Sequence, residues 1–100
     1  MAKADLKKCE ADFRADMGRC VERARKALGW SQKQLGDALE QATGEKRDVA
    51  QISRWEKGSE RPQFDVLWAV EPLRGPLVIA LASLSEQIEV DTTIRIRRSA

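Results

Sequence analysis

Seven residues, Ile52-Ser53-Arg54-Trp55-Glu56-Lys57-Gly58, limit what this chain can fold into more than any other stretch. They read as the end of a short helix. Ile52 and Trp55 lie three apart and share one face, while Ser53 and Arg54 point elsewhere. Gly58 can take the left-handed conformation that stops a helix, with Lys57 at the negative end of the helix dipole. A second short helix precedes it with start signals of its own. Ser31 and Gln34 have the spacing of a capping box, each side chain satisfying a backbone N–H at the helix start. Trp30 and Leu35 flank that cap as a hydrophobic staple, and Leu39 continues the inward face one turn after Leu35. Gly36 costs about 1 kcal/mol relative to alanine inside a helix. It is either a close-approach site for the next helix or a tolerated weakness.

Two short helices in this order suggest a helix-turn-helix, a device for presenting side chains to the DNA major groove. Composition neither demands nor forbids that reading. One hundred residues with 42% hydrophobic and 34% charged side chains make a single domain, 1–100, with a modest core. The net charge of +2 is too small to identify a nucleic-acid partner. Between Arg19 and Arg61, ten basic residues face seven acidic ones, so the excess gathers around the helix pair. An ordinary solvated surface would look similar, because DNA binding depends on clustering on one face rather than on totals.

The opening residues Met-Ala-Lys-Ala-Asp lack the apolar run of a secretory signal. The longest uncharged run, Gly75 to Ser85, is 11 residues, too short for a bilayer, so a cytoplasmic location is expected. Cys9 and Cys20 are 11 residues apart on one expected helix. That places them on nearly the same face but about 16 Å apart along the axis, beyond disulfide reach. Buried small apolar residues are the first reading of both, and an intersubunit contact is the second. With no histidine and no CxxC, no metal or other cofactor is expected. No nucleophile stands beside a base and no glycine-rich loop could cradle phosphate, so no enzyme is expected either.

Along the chain, Leu6, Cys9, Phe13, Met17, Cys20, Val21, Ala24 and Leu28 recur in steps of three and four. They predict a long amphipathic helix over 3–28, interrupted only if Gly18 kinks it, and closed by Gly29. The second helix is expected at about 31–40, and a connection follows over Gln41–Arg47. The third helix is expected at about 48–57, with Asp48 as its cap. Pro62 suits the first turn of a fourth helix, with Phe64, Leu67, Trp68 and Val70 on its apolar side. After Pro72, Gly75 and Pro76, a fifth helix at about 76–87 holds Leu77 to Leu84 and reads as buried on most sides. The tail then alternates: Val90, Thr92, Ile94 and Ile96 share one face of a two-residue repeat. A strand over 88–98 needs a ladder partner, most simply the same strand of a second subunit; a frayed basic tail is the other reading.

Residues 21–68 resemble the lambda-repressor-like, Xre/Cro-type helix-turn-helix domain of phage and bacterial regulators. The resemblance rests on Arg25 with Leu28-Gly29-Trp30-Ser31-Gln32, Gln34-Leu35-Gly36, Ile52 through Gly58, and Arg61-Pro62, in that order and spacing. It implies an all-α, five-helix domain with its helix-turn-helix core at 21–71, here extended by a long N-terminal helix and the C-terminal strand. It implies a structural salt bridge between Arg25 and Glu56, and it sets Gln32 against a DNA phosphate. Base-edge readers would lie at the start of the third helix, at Val49, Ala50, Gln51 and Arg54. Their chemistry is suited to readout, since glutamine can pair with adenine, arginine with guanine, and small apolar groups can touch a thymine methyl. Alternatives stay open at each. Gln51 could close a capping box with Asp48, Val49 could be core, and Arg54 could meet only phosphate. Lys33, Lys46, Arg47, Lys57 and Arg61 would supply further backbone contacts.

The sequence departs from the family pattern in one place inside the domain. Eight residues separate Leu39 from Asp48, where the family usually has about five, and the glycine-apolar turn is replaced by Glu40–Arg47. The expected function is a homodimeric, sequence-specific transcription regulator, a repressor by analogy, bound to a palindromic operator in double-stranded DNA. The alternative is an antitoxin-type module that sequesters a partner toxin and regulates its own operon. No membrane partner is expected.

Overall fold

A computed structural model describes residues 3–84 of the chain, with side chains from residue 8 onward. Its elements are α1 (Lys3–Ala27), α2 (Gln32–Thr43), α3 (Val49–Lys57), α4 (Phe64–Trp68) and α5 (71–84). No strand occurs among the described residues. The proposed strand 88–98, with Val90, Thr92, Ile94 and Ile96, lies outside them.

Each boundary has a local cause. The predicted capping box is present at α2: the Gln34 N–H donates to Ser31 Oγ at 3.1 Å, and the Ser31 N–H donates to Gln34 Oε1 at 2.7 Å. At α3 the Gln51 N–H donates to the Asp48 carboxylate at 2.8 Å. The α2 helix runs three residues beyond its expected end at 40. Thr43 Oγ1 donates back to the Leu39 carbonyl at 2.8 Å, and Gly44, at φ 79°, then turns the chain out of the helix. The long segment between Leu39 and Asp48 therefore adds a helical turn, and only Gly44 to Asp48 is left to connect the pair.

Three helices meet through the face that the spacing identified. Leu35, Leu39, Ile52 and Trp55 are fully buried together with Val21 and Ala24 of α1, and Leu67, Val70, Leu73 and Leu77 close the core from the other side. α1 is unbroken at Gly18. A Cβ on that glycine would sit 2.2 Å from the Trp55 carbonyl oxygen and 2.8 Å from that of Glu56, so its absence lets α1 lie directly on the end of α3. Gly36 is likewise a close approach: an added Cβ would lie 2.5 Å from the Arg47 carbonyl oxygen, with Ile52 Cδ1 at 3.4 Å.

Several expectations give way to the fold. Of the two cysteines only Cys20 is buried, and burial raises its thiol pKa; Cys9 is exposed, as is Phe13. The reason is positional: burial on α1 begins at Met17, where the helix reaches α3, and residues 8–13 precede that crossing. Pro62 is buried but stands ahead of the α4 cap, Gln63, in the extended lead-in rather than in the first turn. α5 starts at 71 rather than 76. Pro72 falls in its first turn, where a missing N–H is harmless, and Gly75 has no Cβ for the Pro76 ring to strike, so the helix continues through both. α5 also buries one side only. Leu73, Leu77 and Ala80 face the core, while Val78 is exposed and Ile79 is 67% exposed.

Candidate nucleic-acid interface

The first turn of α3 follows the short connection and stands free of the core. Val49 is 45% exposed and Ala50 is exposed, so Val49 is not a core residue. Beside them a cleft of about 430 Å³ is lined by Lys33, Asp37, Lys46, Arg47, Asp48, Val49 and Ala50. The cleft joins the start of α2 to the start of α3. Lys33 and Lys46 bring positive charge to it beside the start of α3, an end of a helix that favours anions. Two carboxylates, Asp37 and Asp48, temper the basic lining, and that of Asp48 is occupied in capping α3.

The other expected contacts spread outward from this cleft. Arg54 is exposed one turn further along α3, and Lys57 is exposed at its end. Arg61 is exposed beyond the turn, its guanidinium carbon 5.5 Å from the centre of the Phe13 ring on α1, within cation–π range. Gln32 is half-buried at the first position of α2, where its Nε2 donates to Glu56 Oε1 at 3.1 Å. Arg47 is the least free of the set. Its side chain is 11% exposed, and its guanidinium donates to Glu45 Oε2 at 3.0 Å and to Gln63 Oε1 at 3.3 Å. It ties the connection to the lead-in of α4.

A buried network holds α3 in place. Arg25 Nε donates to Glu56 Oε2 at 2.8 Å and Arg25 Nη2 to Glu56 Oε1 at 3.1 Å, a two-pronged pair whose side chains are 11% and 5% exposed. Arg25 Nη1 also donates to the Trp30 carbonyl at 2.7 Å, so one guanidinium links the ends of α1 and α3 to the start of α2. The hydrogen bonds to Glu56 raise the Arg25 pKa above the ordinary arginine value. Two residues on from Glu56, at the cap of α3, the Gly58 carbonyl accepts from Arg14 Nε at 3.4 Å, and Gly58, at φ 80°, packs against Ala15.

Sequence reasoning did not find Glu60. Its carboxylate accepts from Gln51 Nε2 at 3.3 Å and lies 3.8 Å from Arg54 Nε, so it touches two expected base readers at once. Gln51 therefore uses its backbone N–H for the cap and its side chain for Glu60. The available signal was Gly58: a left-handed residue there reverses the chain and returns the next residues over α3. Among the described residues, no cluster of histidine, cysteine or carboxylate side chains is placed to hold a metal ion, and no helix is long and apolar enough to cross a membrane.

A family model described as helix-turn-helix matches residues 21–71, from the buried half of α1 to the start of α5. No curated protein and no solved structure gives a significant match.

Proposed function

We propose, for a chain that belongs to the Cro/C1-type, Xre-like helix-turn-helix family, a specific role within the DNA-binding transcription regulation that the family implies. The chain acts as a homodimeric repressor of bacterial or phage origin on a palindromic operator, which puts it in the cytoplasm with the nucleoid. The observation that carries this reading is the exposed first turn of α3 at the rim of a lysine-bearing cleft. Val49, Ala50, Gln51 and Arg54 read base edges. Lys33, Lys46, Lys57 and Arg61 contact phosphates, with Gln32 at the start of α2 and Arg47 behind the connection in support. Glu56 receives both Arg25 and Gln32, so the ion pair that locks α3 also aims the start of α2. Paired through the terminal strand 88–98, two copies would set their α3 helices about 34 Å apart in successive major grooves.

A mobility-shift titration on DNA upstream of the gene, with random duplex as competitor, tests the reading. Wild type should bind its operator about a thousandfold or more tighter than random sequence. Arg54→Ala should lower that ratio by roughly 5- to 150-fold, the worth of one good bidentate base contact. A ratio that Arg54→Ala leaves unchanged refutes base readout by this residue. Light scattering after size exclusion, with and without residues 88–100, tests the assembly; a dimer that survives the truncation refutes the role given to the tail.

A further inference from the structure

We infer that Glu60 is a specificity-determining positioning residue: one carboxylate couples Gln51 and Arg54 so that they read adjacent base edges as a unit. The inference rests on the DNA-binding reading above and adds a residue to it. Glu60 accepts from Gln51 Nε2 through Oε2, at 3.3 Å, and faces Arg54 Nε through Oε1, at 3.8 Å. The two oxygens thus serve two different side chains.

The backbone sets this arrangement. Gly58 leaves α3 in the left-handed conformation, and the N–H groups of Ser59 and Glu60 both return to the Arg54 carbonyl, at 3.0 and 3.3 Å. The turn cannot slide outward freely. On one side Gly58 lies against Ala15, with Arg14 donating to its carbonyl. On the other, Arg61 stacks on Phe13 and Pro62 is buried. Glu60 is therefore held over the exposed face of α3 rather than swinging on a free loop.

The atoms it occupies are those that readout can spare. With Nε of Arg54 turned to Glu60, the terminal Nη1 and Nη2 remain as a fork for guanine O6 and N7. With one Nε2 hydrogen of Gln51 engaged, its second hydrogen and its carbonyl oxygen remain for adenine N7 and N6. Glu60 also places a negative charge where a phosphate would otherwise attract Arg54. A phosphate must displace that carboxylate, whereas a base edge need not. Sequence-independent binding is weakened and base-dependent binding is left intact, which raises the ratio between them.

The test uses the full chain as wild type, Glu60→Gln, Glu60→Ala, the double variant Gln51→Ala/Arg54→Ala, and that double variant combined with Glu60→Gln. Each is checked for a wild-type melting temperature and then titrated against a random duplex and against a site enriched by wild type from a random pool. Both single Glu60 variants should bind random duplex roughly three- to tenfold tighter, as expected when a charge facing the phosphates is lost. Their discrimination at the base pairs read by Gln51 and Arg54 should fall at least about fivefold. In the double-variant background, Glu60→Gln should cause no further loss of discrimination, because the residues it positions are gone. Unchanged discrimination in both single variants overturns the inference, as does a discrimination loss that persists in the double-variant background. Failure of wild type to enrich any sequence overturns the DNA reading itself, and the role of Glu60 falls with it.

Discussion

Replacing Gly18 by alanine sets two effects of opposite sign against each other. Within an isolated helix the exchange should stabilise by about 1 kcal/mol, because alanine has the best helix propensity and glycine nearly the worst. In the folded domain the new Cβ would lie 2.2 Å from the Trp55 carbonyl oxygen and 2.8 Å from that of Glu56. Both neighbours are backbone, so neither can rotate away. α1 and α3 would have to part by roughly 1 Å to restore ordinary van der Waals separation. That movement would pull on Val21 and Ala24, which are fully buried against α3, and on the Arg25–Glu56 pair two turns further along. Overpacking of a tight contact typically costs about 1–3 kcal/mol and occasionally more. A contact this short against two carbonyls belongs at or above the upper end, which leaves a net loss of about 2 kcal/mol after the propensity gain. For a domain of this size that is a fall of roughly 8–16 °C in melting temperature. Circular dichroism during heating and in urea reads it, with the urea slope unchanged if only stability moves. Arg23→Ala compared with Arg23→Gly, at an exposed position of the same helix, calibrates the propensity difference. A Gly18→Ala variant more stable than wild type by the full difference of the calibration pair, about 1 kcal/mol, would refute the close approach of α1 and α3.

Arg25→Met leaves Glu56 enclosed without its main partner and should cost about 3–5 kcal/mol in urea unfolding, whereas the double change Arg25→Met/Glu56→Met should recover much of the loss. Because the Arg25 pKa is raised, that contribution is complete below the ordinary arginine range and should show no decline between neutral and moderately alkaline pH. Ser31→Ala removes one half of the capping box and should lower stability by about 1 kcal/mol without altering α3, measured by the same unfolding curves. Lys26→Ala breaks the pair with Glu22, whose carboxyl pKa is lowered chiefly by its hydrogen bond to Lys26. A depressed carboxyl stabilises above its unfolded value and loses that contribution as pH falls through the folded one. The variant should therefore trail wild type by no more than about 0.5 kcal/mol at neutral pH, with the gap closing in acid.

Helix ends and the inward face of the helix pair are legible in the residue order alone. Ser31 with Gln34, Asp48 with the Gln51 N–H, and Gly58 are devices that act within three or four residues, so their chemistry is complete in the local string. Leu35, Leu39, Ile52 and Trp55 can be read for the same reason, because helical spacing puts them on one side. What that side meets lies beyond the string. Whether Gly18 kinks a helix or admits a neighbour depends on carbonyls nearly forty residues away, and the exposure of Cys9, Phe13 and Ile79 depends on where α1 and α5 run out of partners. The candidate interface divides in the same way. Val49, Ala50, Gln51 and Arg54 can be placed on α3 from their positions, but the carboxylate of Glu60 reaches Gln51 and Arg54 only because the turn at Gly58 is wedged against α1. Hydrogen bonds act over about 3 Å, and across that distance the packing of helices, not the order of residues, makes groups neighbours.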